Sequence, residues 1–335
     1  MLLEYKNKKT EKEIIKKYKN KRINIDNNFE NLLFEGDNLK LLSSIAFNDN
    51  LSHLKEKIKC IYIDPPFAKK TTFKDRNGNV AYEDNSIGSD FIEELRERFV
   101  LSKEIMNNGF IFVHSDHTIG HYLKVIMDEV FGINNFMNEI VPGRVKKNDS
   151  NAKKLNVDYD HVYVYKIGNP TAKPLYIENK KKKPYWHSLD AKGQGKAKIF
   201  FGKEIEPPAG THWRWSQERI DKEIKNGTLK LNSKNKPVYL VTPKPVKIGN
   251  NWTDICCYSF GTKYPTEKSV EFLSRVIEMS TEEGDMVIDF YGGSGSTAYT
   301  AMLKNRKYIT ADKGTLALEI MRKRLKNYKF IDGKE

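Results

Sequence analysis

The sequence predicts an α/β protein built on a doubly wound, mostly parallel sheet. Three apolar runs each end in an acidic residue, at Asp64, Asp289 and Asp312. A glycine-rich turn and a helical pattern follow the second run, over residues 290–303. In open α/β sheets, ligands bind beyond the carboxyl ends of the strands. Each of these acids is therefore expected to lie beside a ligand site.

A loop of one acid, two prolines and an aromatic ring ends the first of these runs, over residues 61–67. The prolines stop the strand, because proline has no backbone N–H to donate to a sheet. The loop presents a carboxylate, free carbonyl groups and a flat ring, which together could hold a planar heterocycle by its edge and its face. The candidate catalytic residues are Asp64, Pro65, Pro66 and Phe67.

The glycine-rich turn predicts a second site, for a cofactor. Glycine permits a tight turn and a close backbone approach to a ligand, and the following helix N-terminus favours negative charge. Asp312 follows Asp289 by 23 residues, near the spacing at which an acid binds a ribose hydroxyl in dinucleotide folds. The dinucleotide fingerprint G-x-G-x-x-G is not met, because position 298 is Ala. A nicotinamide-dependent oxidoreductase is therefore disfavoured.

Both motifs resemble those of the amino-methyltransferases, which methylate exocyclic nitrogens of DNA bases with S-adenosylmethionine. Asp-Pro-Pro-aromatic resembles their catalytic loop, and Tyr291, Gly293 and Gly295 resemble their aromatic-x-Gly-x-Gly cofactor loop. The catalytic loop comes first, an order similar to the circularly permuted beta class, in which the target-recognition segment lies between the two loops. The resemblance covers roughly residues 30–140 and 255–320 and implies a Rossmann-like, S-adenosylmethionine-dependent methyltransferase fold.

The same resemblance implies which residues bind the cofactor. Residues 263–268 are similar to the family's aromatic-Pro-Thr-Gln-Lys-Pro segment, with Glu267 in place of Gln and Ser269 in place of the final Pro. Thr266 and Lys268 would bind the methionine carboxylate, and Asp37 of a Gly-Asp pair would face the adenine ring. A helix cap, a solvated lysine and a simple turn are the alternatives. The predicted set is Asp37, Thr266, Lys268, Asp289, Tyr291, Gly293, Ser294, Gly295 and Asp312.

Basic charge is concentrated between the two loops. Residues 141–250 hold 24 Lys and Arg against 10 Asp and Glu, a net charge of +14 that equals the net charge of the whole chain. Such a segment is typical of a protein that binds a phosphate backbone. The tryptophans could fill the gap left by an extruded base, or they could form the core of a small domain. The candidate DNA-binding residues are Arg144, Lys146, Lys147, Trp213, Arg214 and Trp215.

These patterns predict four parts of the chain. Residues 1–25 form a basic N-terminal arm, because residues 6–22 hold nine Lys and Arg against two acids; it could be a helix or a frayed arm that touches DNA. Residues 26–140 are the catalytic half of the methyltransferase domain. Residues 141–255 are the target-recognition region, and residues 256–335 are the cofactor-binding half.

The function implied is site-specific methylation of adenine N6 in a base flipped out of duplex DNA. Asp rather than Ser at position 64 resembles the adenine-N6 branch more than the cytosine-N4 branch. Phe67 would stack on the extruded ring, while the Asp64 carboxylate and the Pro65 carbonyl accept the two amine hydrogens. Cytosine-N4 methylation, an RNA substrate and a catalytically inactive DNA-recognition subunit are the alternatives. A homodimer and a cognate restriction endonuclease are further partners that stay open.

Two further classes of site are not expected. Three cysteines, Cys60, Cys256 and Cys257, show no CxxC spacing, and His117 and His121 lack the Glu of a zincin motif, so no metal is predicted. The sequence shows no long apolar run and no signal peptide. A cytoplasmic protein, associated with the nucleoid through DNA and without a membrane partner, is therefore expected.

Overall fold

The computed structural model describes residues 2–66, 71–74, 80–84, 88–145, 155–179, 183–262 and 264–333. The chain divides into two compact units. The first comprises Met1–Leu175 and Ile248–Glu335, and the second comprises Tyr176–Lys247. Among the described helices, none is long and apolar enough to cross a membrane.

The elements of the described residues are numbered here in chain order. The strands are β1 (Leu32–Glu35), β2 (Ile58–Ile63), β3 (Thr71–Lys74), β4 (Val80–Asp84), β5 (Gly109–Ser115), β6 (Phe136–Gly143), β7 (His161–Ile167), β8 (Tyr176–Ile177), β9 (Tyr185–Ser188), β10 (Asp190–Lys192), β11 (Lys198–Phe200), β12 (Lys203–Ile205), β13 (Thr211–Trp213), β14 (Leu229–Leu231), β15 (Pro237–Val241), β16 (Val246–Lys247), β17 (Asn251–Cys256), β18 (Met286–Asp289), β19 (Lys307–Asp312) and β20 (Lys329–Asp332). The helices are α1 (Glu11–Lys19), α2 (Asn38–Phe47), α3 (Leu54–Lys57), α4 (Ser89–Glu104), α5 (Gly120–Phe131), α6 (Gln217–Lys225), α7 (Val270–Ser280), α8 (Ser296–Leu303) and α9 (Thr315–Arg324), with 3-10 turns at Asp49–Leu51 and Ile133–Asn135.

The first unit is built on one large sheet with the strand order β17-β6-β7-β5-β2-β18-β19-β1-β20. Strand β7 runs antiparallel to β5 and β6, whereas the other neighbouring pairs are parallel. Strands β2 and β18 lie side by side, and successive elements continue outward from them in opposite directions. This reversal is a topological switch point, where open α/β sheets bind ligands. The predicted mostly parallel sheet is confirmed.

Helices cover both faces of the sheet, so its central strands are buried on both sides. In β2, Ile61 and Ile63 pack with α1, α2, α4 and α5, whereas Cys60 and Tyr62 pack with α7, α8 and α9. This alternation follows from the two-residue period of a strand. It explains why the sequence of β2 is apolar apart from Lys59 instead of alternating with polar residues. The doubly wound architecture is therefore confirmed.

The N-terminal segment is folded onto α4. Helix α1 begins with a capping box, in which the Thr10 hydroxyl and the Glu13 carboxylate bind each other's backbone N–H groups. Its Tyr18 hydroxyl donates to Glu97 at 2.6 Å, and Lys17 and Lys9 bind the same carboxylate at 2.8 and 2.9 Å. Of the two predicted forms, a helix and a frayed arm, the structure has the helix, because acidic residues of α4 pair with its lysines.

The second unit has a small core of its own. A three-stranded sheet of order β14-β15-β9 and the pairs β10–β13 and β11–β12 lie with α6 around Leu189, Phe200, Trp213, Ile220 and Leu229. This unit is narrower than the predicted target-recognition region, 141–255. Strands β7 and β17 belong to the sheet of the first unit, because β7 pairs with β5 along its whole length and β17 pairs with β6.

Candidate active site

Asp64 lies directly after β2, at the switch point of the sheet. Its Oδ2 forms an ion pair with the ammonium of Lys268, a residue that is only 4% exposed. The Lys268 Nζ also lies 3.4 Å from the Thr266 carbonyl oxygen and 4.8 Å from the centre of the Tyr258 ring. The other carboxylate oxygen of Asp64, Oδ1, is buried and has no hydrogen-bond partner among the described residues. One oxygen is therefore held in place, while the other can accept a hydrogen bond from a ligand.

The rest of the predicted catalytic loop is described only in part. Pro65 is buried and Pro66 is partly buried beside Asp64. Phe67 lies outside the described residues. The stacking role predicted for the Phe67 ring therefore stays a prediction.

The segment that carries Lys268 is strained and well anchored. Thr266 has a φ of +61°, which is a rare conformation for a β-branched residue. The buried Glu267 carboxylate accepts hydrogen bonds from the Thr262 N–H at 2.8 Å and from its hydroxyl at 2.9 Å, and it pairs with Arg324 at 3.0 Å. Glu267, a departure from the family's glutamine, thus holds the segment to α9. Sequence reasoning did not assign it this role.

The glycine-rich turn lies between β18 and α8, where backbone atoms approach closely. Gly295 has a φ of +73° at the first position before α8. A Cβ atom at Gly292 would lie 2.5 Å from the Thr310 hydroxyl oxygen, so no larger residue fits there. The Gly293 N–H donates to Asp312 Oδ2 at 2.8 Å, and the buried Ser294 hydroxyl lies 2.9 Å from that of Ser296. These contacts make a compact backbone cradle next to Asp64.

Two acids of the cradle lie at the ends of their strands, where Asp289 is buried and Asp312 is half-buried. Burial raises the pKa of Asp289, against hydrogen bonds from Thr297 and the Tyr291 N–H, and together with the nearby Asp64 charge it brings the pKa to about 7. Burial also raises the pKa of Asp312, against the hydrogen bonds from the N–H groups of Gly314 and Gly293. The parallel pairing of β18 with β19 brings these carboxylates to the same edge of the sheet.

Asp37 and Tyr291 lie at the same edge of the sheet as Asp289 and Asp312. Asp37 caps α2 by accepting a hydrogen bond from the Leu39 N–H at 3.0 Å, and its carboxylate is about half exposed. The next residue, Asn38, donates to the Phe290 carbonyl at 2.8 Å and accepts from Arg98 at 2.8 Å. The Arg98 guanidinium lies 5.7 Å from the centre of the Tyr291 ring. The Gly-Asp turn is thereby tied to the cofactor loop.

A buried carboxylate network lies beneath the Asp64–Lys268 pair. Asp160 Oδ2 accepts hydrogen bonds from the Tyr258 hydroxyl at 2.7 Å and from His114 at 3.0 Å, and its Oδ1 pairs with Arg144 at 2.7 Å. The other ring nitrogen of His114 lies 2.9 Å from the Tyr62 hydroxyl. Burial acts to raise the pKa of Asp160, but the bonds from His114 and Tyr258 and the Arg144 charge outweigh it and hold the pKa well below its ordinary value. Sequence reasoning missed Asp160 and Tyr258.

Within the described residues, one cluster has the composition of a metal site: His114, Asp160 and Cys257, whose ligand atoms lie within 4.8 Å of one another. Arg144 already pairs with this Asp160, and Lys268 lies near by. Both cations would repel a metal ion, and the donors are satisfied by hydrogen bonds. We therefore assign the cluster a structural role, and the sequence-based expectation of no metal stays a prediction.

The candidate DNA-binding residues lie in different surroundings. Trp213 is buried in the core of the second unit, where its indole N–H donates to the Ile205 carbonyl at 3.0 Å. Trp215 packs against Tyr239 with ring centres 4.7 Å apart, whereas Arg214 is exposed. Arg144 is bound to Asp160, and Lys146 and Lys147 lie outside the described residues. A wedge role for Trp213 would require the ring to leave its core.

The strand order, the single reversed strand β7 and the glycine cradle beside an acid–Pro–Pro loop define a Rossmann-like methyltransferase of the permuted type. The chain belongs to the DNA methylase family of N6/N4 methyltransferases, whose family model matches residues 58–323. S-adenosylmethionine is the methyl donor of this family. The predicted family, fold class and cofactor are thereby confirmed.

Individual relatives agree with this assignment. The chain is 29% identical over 356 residues to the Type II methyltransferase M.EcaI of Enterobacter cloacae, covering 96% of this chain and 77% of that protein. It is 23% identical over 336 residues to the Type III restriction-modification enzyme StyLTI Mod subunit of Salmonella typhimurium, covering 84% of this chain and 51% of that protein. A solved structure of a proposed DNA modification methylase from Thermus thermophilus shares the fold, with a TM-score of 0.50, 12% identity and coverage of 90% of this chain and 100% of that chain.

Proposed function

We propose that this protein methylates N6 of an adenine that is flipped out of duplex DNA. The observation that carries the proposal is the state of the Asp64 carboxylate, with Oδ2 bound to Lys268 and Oδ1 buried without a partner among the described residues. A buried polar atom without a hydrogen bond costs about 1–3 kcal/mol. Such an atom is typical of a site that binds a donor group of a ligand.

The amine of adenine is a weak nucleophile, because its lone pair is delocalised into the ring. In the proposed mechanism Asp64 Oδ1 accepts one amine hydrogen and the Pro65 carbonyl accepts the other. Holding both hydrogens on one side shifts the nitrogen toward tetrahedral geometry and exposes its lone pair. The nitrogen loses one proton after methylation, for which Asp64 is the acceptor. Positioning and electrostatics supply most of the rate.

The residues around the cradle fit the cofactor. When bound, S-adenosylmethionine supplies an electrophilic methyl group on a positively charged sulfur. Lys268 and Thr266 would hold its carboxylate, Asp312 its ribose hydroxyls, and Asp37 would face its adenine ring. An ammonium group has three donors, so Lys268 can bind a second carboxylate while it remains paired with Asp64. A Cβ atom at Gly292 or Gly295 would clash with Thr310 or Met321, so these glycines let the turn pack closely against β19 and α9.

The choice of adenine over cytosine rests on the acid at position 64. An aspartate at the start of the Pro-Pro loop resembles the adenine-N6 branch, and a serine there is typical of the cytosine-N4 branch. Cytosine N4 and RNA remain the alternative targets of the same chemistry. A catalytically inactive recognition subunit is disfavoured, because the acid and its lysine partner are both present.

Transfer of labelled methyl groups tests the proposal. The full chain is incubated with labelled S-adenosylmethionine and duplex DNA, and the DNA is digested to nucleosides and separated. We expect label in N6-methyladenine. Label in N4-methylcytosine, or in RNA alone, would assign the alternative targets, and no label in any nucleic acid would refute the methyltransferase proposal.

We further propose two partners. Relatives named as type II methyltransferases and as Mod subunits of type III enzymes support a cognate restriction endonuclease. A homodimer is proposed from the permuted order of the motifs. Sedimentation of the pure protein tests the dimer. Co-expression with a nuclease encoded by a neighbouring gene tests the endonuclease partner, by comparing how methylated and unmethylated host DNA are cleaved.

A further inference from the structure

The hairpin of β11 and β12 carries a phenylalanine at an unusual position. Phe200 pairs with Lys203, so the turn consists of two residues, Phe201 and Gly202. Their φ angles are +53° and +77°. Positive φ at both positions defines a type I′ turn, for which Asn-Gly is the preferred sequence. A bulky residue in this region costs roughly 1–2 kcal/mol, so Phe201 is not explained by the needs of the turn.

The tip of the hairpin is apolar on its outer side. Phe200 is buried against Trp213, with ring centres 5.2 Å apart. Its neighbours Ile199 and Phe201 are 52% and 46% exposed. The two-residue period of the strand puts Ile199 on the side opposite the core, and Phe201 follows it in the exposed turn. The second unit thus presents a branched aliphatic side chain and an aromatic ring together to the outside.

The hairpin is also held rigidly. Gln217, at the start of α6, accepts a hydrogen bond from the Ile199 N–H at 2.9 Å and donates one to the Ile199 carbonyl at 2.8 Å. The Lys198 ammonium donates to the Trp215 carbonyl. Strand β11 is therefore fixed within its unit before any partner binds, and it holds β12 through their pairing. Such preorganisation lowers the entropy cost of binding.

The unit that carries the apolar tip is strongly basic, and one exposed acid, Glu204, pairs with Ile199 across the hairpin. Residues 176–247 contain 17 Lys and Arg against seven Asp and Glu, a net charge of +10. Lys192, Lys196 and Lys203 are exposed on or beside the hairpin. A basic unit with an apolar hairpin tip matches a nucleic-acid groove, in which phosphates form the walls and base edges form the floor.

We propose that the hairpin of residues 198–205 enters the major groove of duplex DNA and places Phe201 and Ile199 against base edges. This inference rests on the proposed function, and it adds the element that contacts the substrate. A two-stranded ribbon fits the major groove, and apolar side chains there contact the 5-methyl group of thymine. Lys196 and Lys203 face the phosphates. The buried Trp213 supports the hairpin through Phe200.

Replacement of Phe201 by Asn separates DNA contact from folding. Phe201→Asn creates the Asn-Gly sequence that this turn prefers, so the melting temperature should stay the same or rise. We expect the dissociation constant for duplex DNA to rise about tenfold or more, the usual cost of losing one specific base contact. S-adenosylmethionine binding should not change. Tyr176→Ala is the matched control, because Tyr176 is a 59% exposed aromatic residue of the same unit.

A crosslink locates the contact on the DNA. The methylated motif is first determined by sequencing DNA that the wild-type enzyme has modified. Duplexes with 5-iodouracil at single thymine positions of that motif are then irradiated, and the attached residue is identified by mass spectrometry. We expect a crosslink at Phe201 from one position. In addition, Lys203→Gln should lower the slope of log affinity against log salt by about one.

Three results would overturn the inference. Unchanged DNA affinity and motif in Phe201→Asn, with normal methylation by the wild type, would refute the hairpin contact and leave the proposed function intact. Dissociation of a dimer by Phe201→Asn, with unchanged DNA affinity, would assign the tip to a contact between two copies of the chain. A wild-type enzyme that methylates no DNA would refute the proposed function and this inference together.

Discussion

Lys268 forms an ion pair with Asp64, a residue 204 positions earlier in the chain. The pair joins the predicted cofactor segment to the predicted catalytic loop. An isolated β-bridge between the backbones of Tyr258 and Lys268 fixes the lysine, and the end of β2 fixes Asp64, so the two side chains meet. Cofactor binding and base binding therefore share one side-chain pair.

Asp64→Ala should abolish methyl transfer and leave cofactor binding largely intact. The variant loses the Oδ1 acceptor proposed for the amine. Loss of a group of this kind lowers kcat roughly 10²-fold or more. Transfer of labelled methyl groups and calorimetric titration with S-adenosylmethionine measure the two properties. Asp49→Ala, at an exposed position in the same unit, is the control. A fully active Asp64→Ala enzyme would contradict the mechanism.

Lys268→Met should weaken cofactor binding and slow transfer at saturating cofactor. The thioether is similar in length but has no charge to pair with the methionine carboxylate or with Asp64. The dissociation constant should rise about tenfold, a typical value for loss of a charge-assisted hydrogen bond. Lys268→Arg keeps the charge and should recover part of the binding. Equal cofactor affinity in Lys268→Met and wild type would mean that the methionine carboxylate of the cofactor does not bind at Lys268.

Asp160→Asn should destabilise the first unit, and the loss of stability should depend on pH. The substitution breaks a buried pair with Arg144, which costs on the order of 3 kcal/mol. Because the folded pKa of Asp160 is depressed, the wild-type contribution is present above the unfolded pKa and is lost as pH falls through the folded pKa. Urea unfolding at several pH values should therefore show a stability gap that narrows in acid. Asp158→Asn, at an exposed site two residues away, should show no gap.

Asp289→Asn should have the opposite pH dependence. The folded pKa of about 7 lies above the unfolded value, so the folded protein keeps a proton that the unfolded chain releases. In the wild type, the stability that the protonated Asp289 carboxyl contributes is fully present in acid and is lost as pH rises toward 7. The amide has no proton to lose, so the melting temperature of the variant relative to wild type should rise between pH 5 and pH 7 and stay constant above it. A constant difference across that range would contradict the raised pKa.

Glu97→Gln should loosen the N-terminal segment without unfolding the sheet. The Glu97 carboxylate binds Tyr18, Lys17 and Lys9, and the neutral amide loses the charge that pairs with both lysines. Amide hydrogen exchange in residues 2–19 should accelerate, while exchange in β2 and β18 stays slow. Glu94→Gln, at an exposed position on the same helix, is the control. Equal exchange in all three proteins would mean that the lysines do not hold the segment.

The sequence by itself determined the features that depend on a few neighbouring residues. Two prolines after Asp64 end a strand, and Gly292, Gly293 and Gly295 permit a tight turn, whatever the rest of the chain does. The strand ends, the glycine turn, the order of the two loops and the basic middle segment could therefore be predicted. They were sufficient for the fold class and for the family.

The tertiary structure decided which side chains meet and which are buried. The Lys268–Asp64 pair, the bond between Tyr258 and Asp160 and the pair of Glu267 with Arg324 each join distant segments, so no local pattern predicts them. The tryptophan of the Trp-Arg-Trp sequence at position 213 could equally have been an exposed wedge or a core residue. Packing against Phe200 buried it and left Phe201 at the surface, because burial depends on how the elements pack and not on residue type alone.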